Sequence, residues 1–262
     1  MKILIIADVH QDTDYVKKSF AACANFDQCV FLGDFFDSFK APPEVSGFQE
    51  TCEYLRYLVL NHPQKEKFKF CVGNHDMKYI YENKHSGSVA AASSITPHYN
   101  CSGVTSSKIR RFREEFFDKS LGDRFFIDNF RLAHRINGWT FSHGGVIMQH
   151  LPYGHTIDSF VNDICVDAWE NFRMFNHPHN YLISDVGLCR FGNANVGGLL
   201  WCDWRGEFVA CSDVGKQVVG HTTVVGRPGV IDKGGPSESW NIDMLQRCFG
   251  IINNGEFEYC YV

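Results

Sequence analysis

The 262-residue chain lacks an apolar run long enough to span a bilayer, a Cys-x-x-Cys pair, an internal repeat and a low-complexity segment. The first absence excludes a helical membrane span. There are 11 cysteines, but an odd number scattered singly through a chain of this size is not a disulfide scaffold, and free thiols in a reducing cytosol fit better. The start, Met1 to Asp8, has too short an apolar run for a signal peptide, so a cytoplasmic protein is expected. Strong positive charge is also missing, with a formal net charge of -5. The clearest basic cluster, Lys108, Arg110, Arg111 and Arg113, alternates with Glu114 and Glu115 and reads as a solvated helix face. General nucleic-acid binding is therefore disfavoured, although a local anion site is not. What remains is a chain 44% hydrophobic and 21% charged, with 23 phenylalanines. That is the profile of one globular domain over 1–262 with an aromatic-rich core. Nothing in it sets an oligomeric state.

The rest is organised around Phe68-Lys69-Phe70-Cys71-Val72-Gly73-Asn74-His75-Asp76. An aromatic and β-branched run reads as a buried strand, Gly73 permits a sharp turn, and an amide, an imidazole and a carboxylate follow at the strand's carboxyl end. In open α/β sheets ligands bind at that edge. Two earlier runs behave alike: Ile3 to Ala7 leads into Asp8-Val9-His10, and Cys29 to Leu32 into Gly33-Asp34-Phe35-Phe36-Asp37. Helical spacing lies between them, with Asp12 or Thr13 as a cap before Val16, Phe20 and Cys23, and with Val45, Phe48, Cys52, Leu55 and Val59 before Pro63. Strands joined by crossover helices imply a largely parallel sheet.

Beyond Asp76 the pattern weakens. Ser86 to Ser107 reads as loop or lid, Lys108 to Lys119 as helix, and Arg131 to Arg135 with Trp139 to Ser142 as strands about an Asn137-Gly138 turn. The second of these strands ends in His143-Gly144-Gly145. Phe160 to Phe175 is helical, and His177 to Gly198 is a long polar loop. Val196 to Trp201 resumes an apolar run, Gln217 to Val219 is a short strand ending in Gly220-His221-Thr222, and the tail is a hairpin turning at Asn254-Gly255. Loop or cap insertions are expected near 77–130 and 146–198.

Collected at strand ends are Asp8, His10, Asp34, Asn74, His143 and His221. Singly, each has an ordinary reading as a helix cap or a hydrogen-bonded core histidine. Together, two carboxylates, an amide and three imidazoles suit two divalent cations such as manganese, iron or zinc, with one carboxylate bridging ions ~3.5–4 Å apart. Asp34 is the bridging candidate.

The ordered blocks Asp8-Val9-His10, Gly33-Asp34-Phe35-Phe36-Asp37, Gly73-Asn74-His75-Asp76, Ser142-His143-Gly144-Gly145 and Gly220-His221-Thr222 resemble the calcineurin-like metallophosphoesterases. The resemblance covers roughly Met1 to Thr223. It implies an α/β fold, a four-layer α-β-β-α sandwich of two mixed sheets flanked by helices. It also implies that Asp8, His10 and Asp34 hold one metal, and Asp34, Asn74, His143 and His221 the other. Asp37 pairs with His75, the expected general acid, which on an extended segment leaving the strand would face away from Asn74 and the metals. Two features point to the serine/threonine protein phosphatase and diadenosine tetraphosphatase branch: Thr223 stands where many phosphodiesterases and nucleases carry a second histidine, and Leu199-Leu200-Trp201-Cys202-Asp203 looks like that branch's Leu-Leu-Trp-Ser-Asp. Two others depart from it. Ser38 replaces an arginine that clamps phosphate, and Asp76 replaces a glutamate. Arg205 is the candidate substitute, with Asn74, for contact with the substrate phosphate.

The expectation is a dinuclear, manganese-preferring phosphatase. It would use a metal-bridging hydroxide on phosphate monoesters, either phosphoproteins or small phosphate esters. The alternatives, in order, are a diadenosine tetraphosphatase-like nucleotide hydrolase, a nucleic-acid phosphodiesterase, and an inactive binding module of the same fold.

Overall fold

A computed structural model describes residues 1–38, 45–85, 103–118, 124–174 and 180–262. Most of the Ser86 to Ser107 segment, together with His177 and His179, lies outside the described residues.

Strands β1 (Lys2–Ile6), β2 (Gln28–Phe31), β3 (Phe68–Cys71) and β4 (Phe130–Arg131) run parallel in that order. The hairpin β10 (Cys248–Asn253) and β11 (Glu256–Tyr261) extends the sheet antiparallel beside β1, completing six strands. A second, five-stranded sheet has the order β5 (Ala133–Ile136), β6 (Trp139–Ser142), β7 (Lys216–Val219), β9 (Ser239–Asn241), β8 (Gly229–Ile231). Both sheets are mixed.

The two-residue period of a strand divides β1 between two cores. Ile3 and Ile5 face the second sheet, packing with Val30, Leu32, Trp139, Phe141, Val218 and Trp240. Leu4 and Ile6 face the other way, into a cluster built largely of phenylalanines. That cluster is covered by α1 (Thr13–Ala22), α2 (Val45–Leu60), α3 (Asn74–His85), α4 (Ser106–Phe116) and α5 (Arg124–Asn129). Its rings stack along the sheet, Phe31 on Phe70 and Phe70 on Phe130, and join it to the helices through Phe20 of α1 on Phe68 and Phe126 of α5 against Phe130. Asp12 caps α1, its side chain accepting the Tyr15 amide at 2.9 Å. A helical run from Ile157, with a π turn at Phe160–Ile164, continues as α6 (Cys165–Met174). On the far face of the second sheet, Ile147, Cys202 and Phe208 pack on Val219. The described cysteines are all free thiols. Among the described residues no helix is long and apolar enough to cross a membrane.

Four local expectations are corrected. Arg131 to Arg135 is not one strand: Arg131 ends β4 in the first sheet, buried Leu132 is the pivot, and Ala133 begins β5 in the second. Val196 to Trp201 forms turns around the Gly198 carbonyl rather than a strand. Asn74 and His75 are not an extended exit from β3, because they form the first turn of α3. Lys108 is not on a solvated face. Arg110 and Arg111 do reach Glu114 at the surface, but Lys108 is fully buried, because α4 turns it toward an internal carboxylate.

Candidate metal centre

The carboxyl ends of β1, β2, β3, β6 and β7 converge on one edge, and each exit is tightly bent. Asp8, His10, Asp34, Asp37 and His221 all have positive φ, between 43 and 65°. For non-glycine residues such backbone costs roughly 1–3 kcal/mol each and persists only where its surroundings impose it. Here the imposition is close contact between exits. The His10 amide donates to the Asp34 carbonyl at 2.8 Å, and the Gln11 amide to that of Phe35 at 2.9 Å. A Cβ at Gly73 would overlap Asp34 Oδ1, and one at Gly220 would overlap Asp8 Oδ2. Those two glycines therefore set how near the carboxylates come to neighbouring backbone.

Each polar side chain is held by a partner that fixes which atom faces inward. Asp34 Oδ1 accepts the His75 amide at 2.9 Å, at the start of α3. Its Oδ2 lies 3.4 Å from His143 Nε2 and 3.8 Å from His10 Nε2. His143 Nδ1 is 2.9 Å from the Leu32 carbonyl, and His10 Nδ1 is 3.0 Å from that of Phe36. A carbonyl only accepts, so in the neutral rings the lone pair falls on Nε2. This is how ligating histidines are usually oriented. Asn74 Oδ1 lies 2.9 Å from His143 Nε2 and 3.0 Å from His221 Nδ1. Asp8 accepts the His221 amide, at 3.0 Å on Oδ1.

Two groups of ligand atoms result, each within 4.8 Å: Asp8 with His10 and Asp34, and Asp34 with His143 and His221. Asp34 belongs to both. The charge balance also fits cations. Burial, with Asp243 and Asp34 adjacent, pushes the Asp8 carboxyl well above its ordinary range. Burial would also raise Asp34, but His143, His75 and His10 outweigh it and hold that carboxyl well below the usual range. Burial lowers the pKa of His10, and burial with His143 beside it lowers that of His221 strongly, which favours the neutral ring that ligates a metal. Converging lone pairs, imidazoles shifted toward the neutral form and crowded buried carboxylates are the donor set a divalent pair requires.

His75 behaves differently. Its Nδ1 lies 3.0 Å from Asp37 Oδ2. Burial alone would lower its pKa, but Asp34 and the Asp37 hydrogen bond raise it. Asp76 is a brace, accepting the Phe35 amide at 2.8 Å and the Gly73 amide at 3.0 Å. Burial and Asp34 push it up to about 7. Arg205 is not gathered with the others. Its guanidinium donates to the Thr223 carbonyl on an exposed strip.

Sequence reasoning did not single out three contributors. Arg190 donates to Thr222 Oγ1 at 2.8 Å and pairs with Asp203 at 2.8 Å, beside His221. Asp243 is buried and accepts the Thr223 hydroxyl at 2.9 Å, so Thr223 faces this carboxylate. A signal for it existed, since Asp243 stands just beyond the short strand Ser239–Asn241, another acid past a strand's carboxyl end. Lys108, 3.0 Å from Asp37, had no such signal.

The fold is a two-sheet sandwich with a cluster of candidate cation ligands along one strand edge. The chain belongs to the calcineurin-like phosphoesterases, whose family model matches residues 1–222. No curated protein matches the sequence. Among solved structures, the cold-active protein-tyrosine phosphatase of the psychrophile Shewanella sp. is similar at a TM-score of 0.57 and 15% identity, over 99% of this chain and 77% of that one. Another structure of a cold-active protein tyrosine phosphatase gives 0.59 and 16%, over 99% and 76%. A Saccharomyces cerevisiae protein serine/threonine phosphatase gives 0.49 and 16%, over 100% and 80%. At these identities the first two likenesses show the fold and nothing finer.

Proposed function

We propose that the protein is a dinuclear metal-dependent phosphatase acting on phosphate monoesters. The observation that carries this reading is Asp34, shared by two groups of ligand atoms at one strand edge. Asp8, His10 and Asp34 would hold one ion, and Asp34, Asn74, His143 and His221 the other. Bound there, divalent ions, manganese first and iron or zinc next, supply Lewis acidity toward phosphoryl oxygens and a nucleophilic water near neutral pH. The chain supplies the rest. Asp34 is fixed by the α3 amide, His10 and His143 are oriented by backbone carbonyls, and Asn74, with Oδ1 turned to the ligand cluster, would offer its Nδ2 to the phosphate. His75, whose pKa the neighbouring carboxylates raise and whose Nδ1 faces Asp37, would donate its proton to the leaving alkoxide. Arg190 lies beside His221, tied to Thr222 and Asp203, and Arg205 would have to leave the Thr223 carbonyl to reach the phosphate from that side. The substrate is a phosphoprotein or a small phosphate ester. A diadenosine tetraphosphatase-like activity is the second reading, supported by Thr223, whose hydroxyl is turned to Asp243 where a second histidine ligand would otherwise stand.

The test is metal analysis of purified protein followed by assay with manganese against aryl phosphate, phosphopeptides, dinucleoside polyphosphates and cyclic nucleotides. The expected result is about two ions per chain and metal-dependent hydrolysis of the monoesters. Hydrolysis of none of the four substrates would reject the enzyme, and preference for the dinucleotides would select the second reading.

A further inference from the structure

Lys108 is fully buried on α4, while its neighbours Arg110 and Arg111 pair with Glu114 near the surface. Its ammonium lies 3.0 Å from Asp37 Oδ1, donates to the Gly103 carbonyl at 2.9 Å and sits 5.6 Å above the Phe48 ring. Tyr79 donates to the same Asp37 oxygen at 2.6 Å. The other oxygen, Oδ2, is the one facing His75 Nδ1. The approach is tight on the helix side too: Gly103 has φ +95°, and a Cβ there would stand 3.3 Å from Asp37. Phe36, Phe48, Phe112 and Tyr79 pack around the pair.

Burying an ammonium costs several kcal/mol in desolvation, and a buried ion pair is often no more stabilising than apolar residues of the same volume. Stability is therefore a poor reason for a lysine here. Its effect is geometric. With Oδ1 held by an ammonium and a phenol, the carboxylate cannot rotate, and Oδ2 is fixed as the acceptor for His75. That commits Nδ1 of the imidazole to the carboxylate, so proton donation runs from Nε2.

We propose that Lys108 is a positioning residue for His75, acting through Asp37 and delivered by α4. The step it serves moves one proton: as the bond from phosphorus to the leaving oxygen breaks, His75 passes its Nε2 proton to that oxygen and is later reprotonated from water. The kinetic part of this inference rests on the phosphatase reading above. The orientation of His75 does not.

The variants are Lys108→Met, which keeps length without charge, and Tyr79→Phe, which removes the other Oδ1 contact and serves if the first fails to fold. Nitrogen-15 NMR of the imidazoles should show a slowly exchanging Nδ1 proton on His75 in the wild type and its loss or broadening in either variant, with metal content unchanged. In assays, kcat on alkyl phosphates should fall about tenfold, part of the 10²–10⁴ a general acid contributes. KM and turnover of aryl phosphates with acidic leaving groups should stay as they are. On a His75→Asn background the Lys108→Met change should cost nothing more. An unchanged His75 resonance, equal losses on both substrate types, or additive losses with His75→Asn would overturn the proposal. If wild-type protein hydrolyses no phosphoester, the phosphatase reading falls and the NMR result alone decides the role of Lys108.

Discussion

The two candidate ligand groups share Asp34 but are built differently. Asp8, His10 and Asp34 all lie within one β-α-β unit, and the contact holding them runs between adjacent parallel strands, from the His10 amide to the Asp34 carbonyl at 2.8 Å. Asn74, His143 and His221 come from the first sheet and the second, and His143 is aimed by the Leu32 carbonyl across the layer between them. The first group rests mainly on local chain geometry, with one tie to the second sheet, the His221 amide donating to Asp8. The second needs two sheets packed in register, so anything that loosens that layer should be felt there first.

The strongest way to break the comparison is to remove what the groups share. Asp34→Asn leaves one good oxygen and no charge where two cations meet. It should release both ions and abolish turnover, as read by metal analysis and activity. Two tightly retained metals with full activity would reject the shared ligand.

Next in size is a change at a residue that belongs to neither group. His75→Asn should keep both metals and the fold yet lose roughly 10²–10⁴-fold on alkyl phosphates, and far less on aryl phosphates with acidic leaving groups. Loss of metal in this variant would place His75 among the ligands instead.

The arginines separate phosphate binding from metal binding. Arg205→Ala should lower kcat/KM by one or two powers of ten, about 1.4–2.8 kcal/mol at 1.4 per tenfold, with both metals in place. Arg190→Ala should give a similar loss and also weaken one ion, because Arg190 is tied to Thr222 beside His221. If Arg205→Ala has wild-type kinetics, that residue is an ordinary surface cation bonded to the Thr223 carbonyl.

Val218 offers the sharpest test of the inter-sheet dependence. It is fully buried between the sheets, in the strand that ends at His221. Val218→Ala should cost about 1–3 kcal/mol of stability. The ion at Asp34, His143 and His221 should be weakened more than the ion at Asp8, His10 and Asp34, measured by titration calorimetry. Equal weakening of both would show that the two groups respond as one.

The smallest effect lies away from the metals. His150 Nε2 is 2.8 Å from the Gly197 carbonyl, and burial pushes its pKa down to about 4. The folded state thus binds fewer protons than the unfolded chain, whose histidine titrates near 6.5. This stability contribution is complete above that pH and is lost as pH falls toward 4. His134, also pushed down to about 4 by burial, has the same sign. The thermal midpoint should decline from pH 6.5 to 4.5, and His150→Gln should make the decline shallower. An identical slope would remove His150 from the account.

The sequence by itself determined that strands ending in Asp8, Asp34, Asn74, His143 and His221 deliver ligand-type residues to one edge. Periodicity and strand-terminal chemistry are local, and a parallel crossover unit leaves its carboxyl ends no other place to go. It also determined the hairpin at Asn254-Gly255 and the Asp12 cap. The buried acid Asp243 was within reach of the same rule. Only the tertiary structure decided the rest. Arg131 to Arg135 reads as one strand because no local signal marks Leu132 as the point where the chain leaves one sheet for the other. Asn74 and His75 read as an extended continuation of β3 because the helix they begin is held by contacts to distant residues, the Asp34 carboxylate accepting the His75 amide. Lys108 reads as solvated because its partner Asp37 is far away in the chain, and charge patterning along one helix carries no information about what that helix packs against. Local chemistry is written in neighbouring residues, whereas burial and pairing across the chain exist only once the layers have closed.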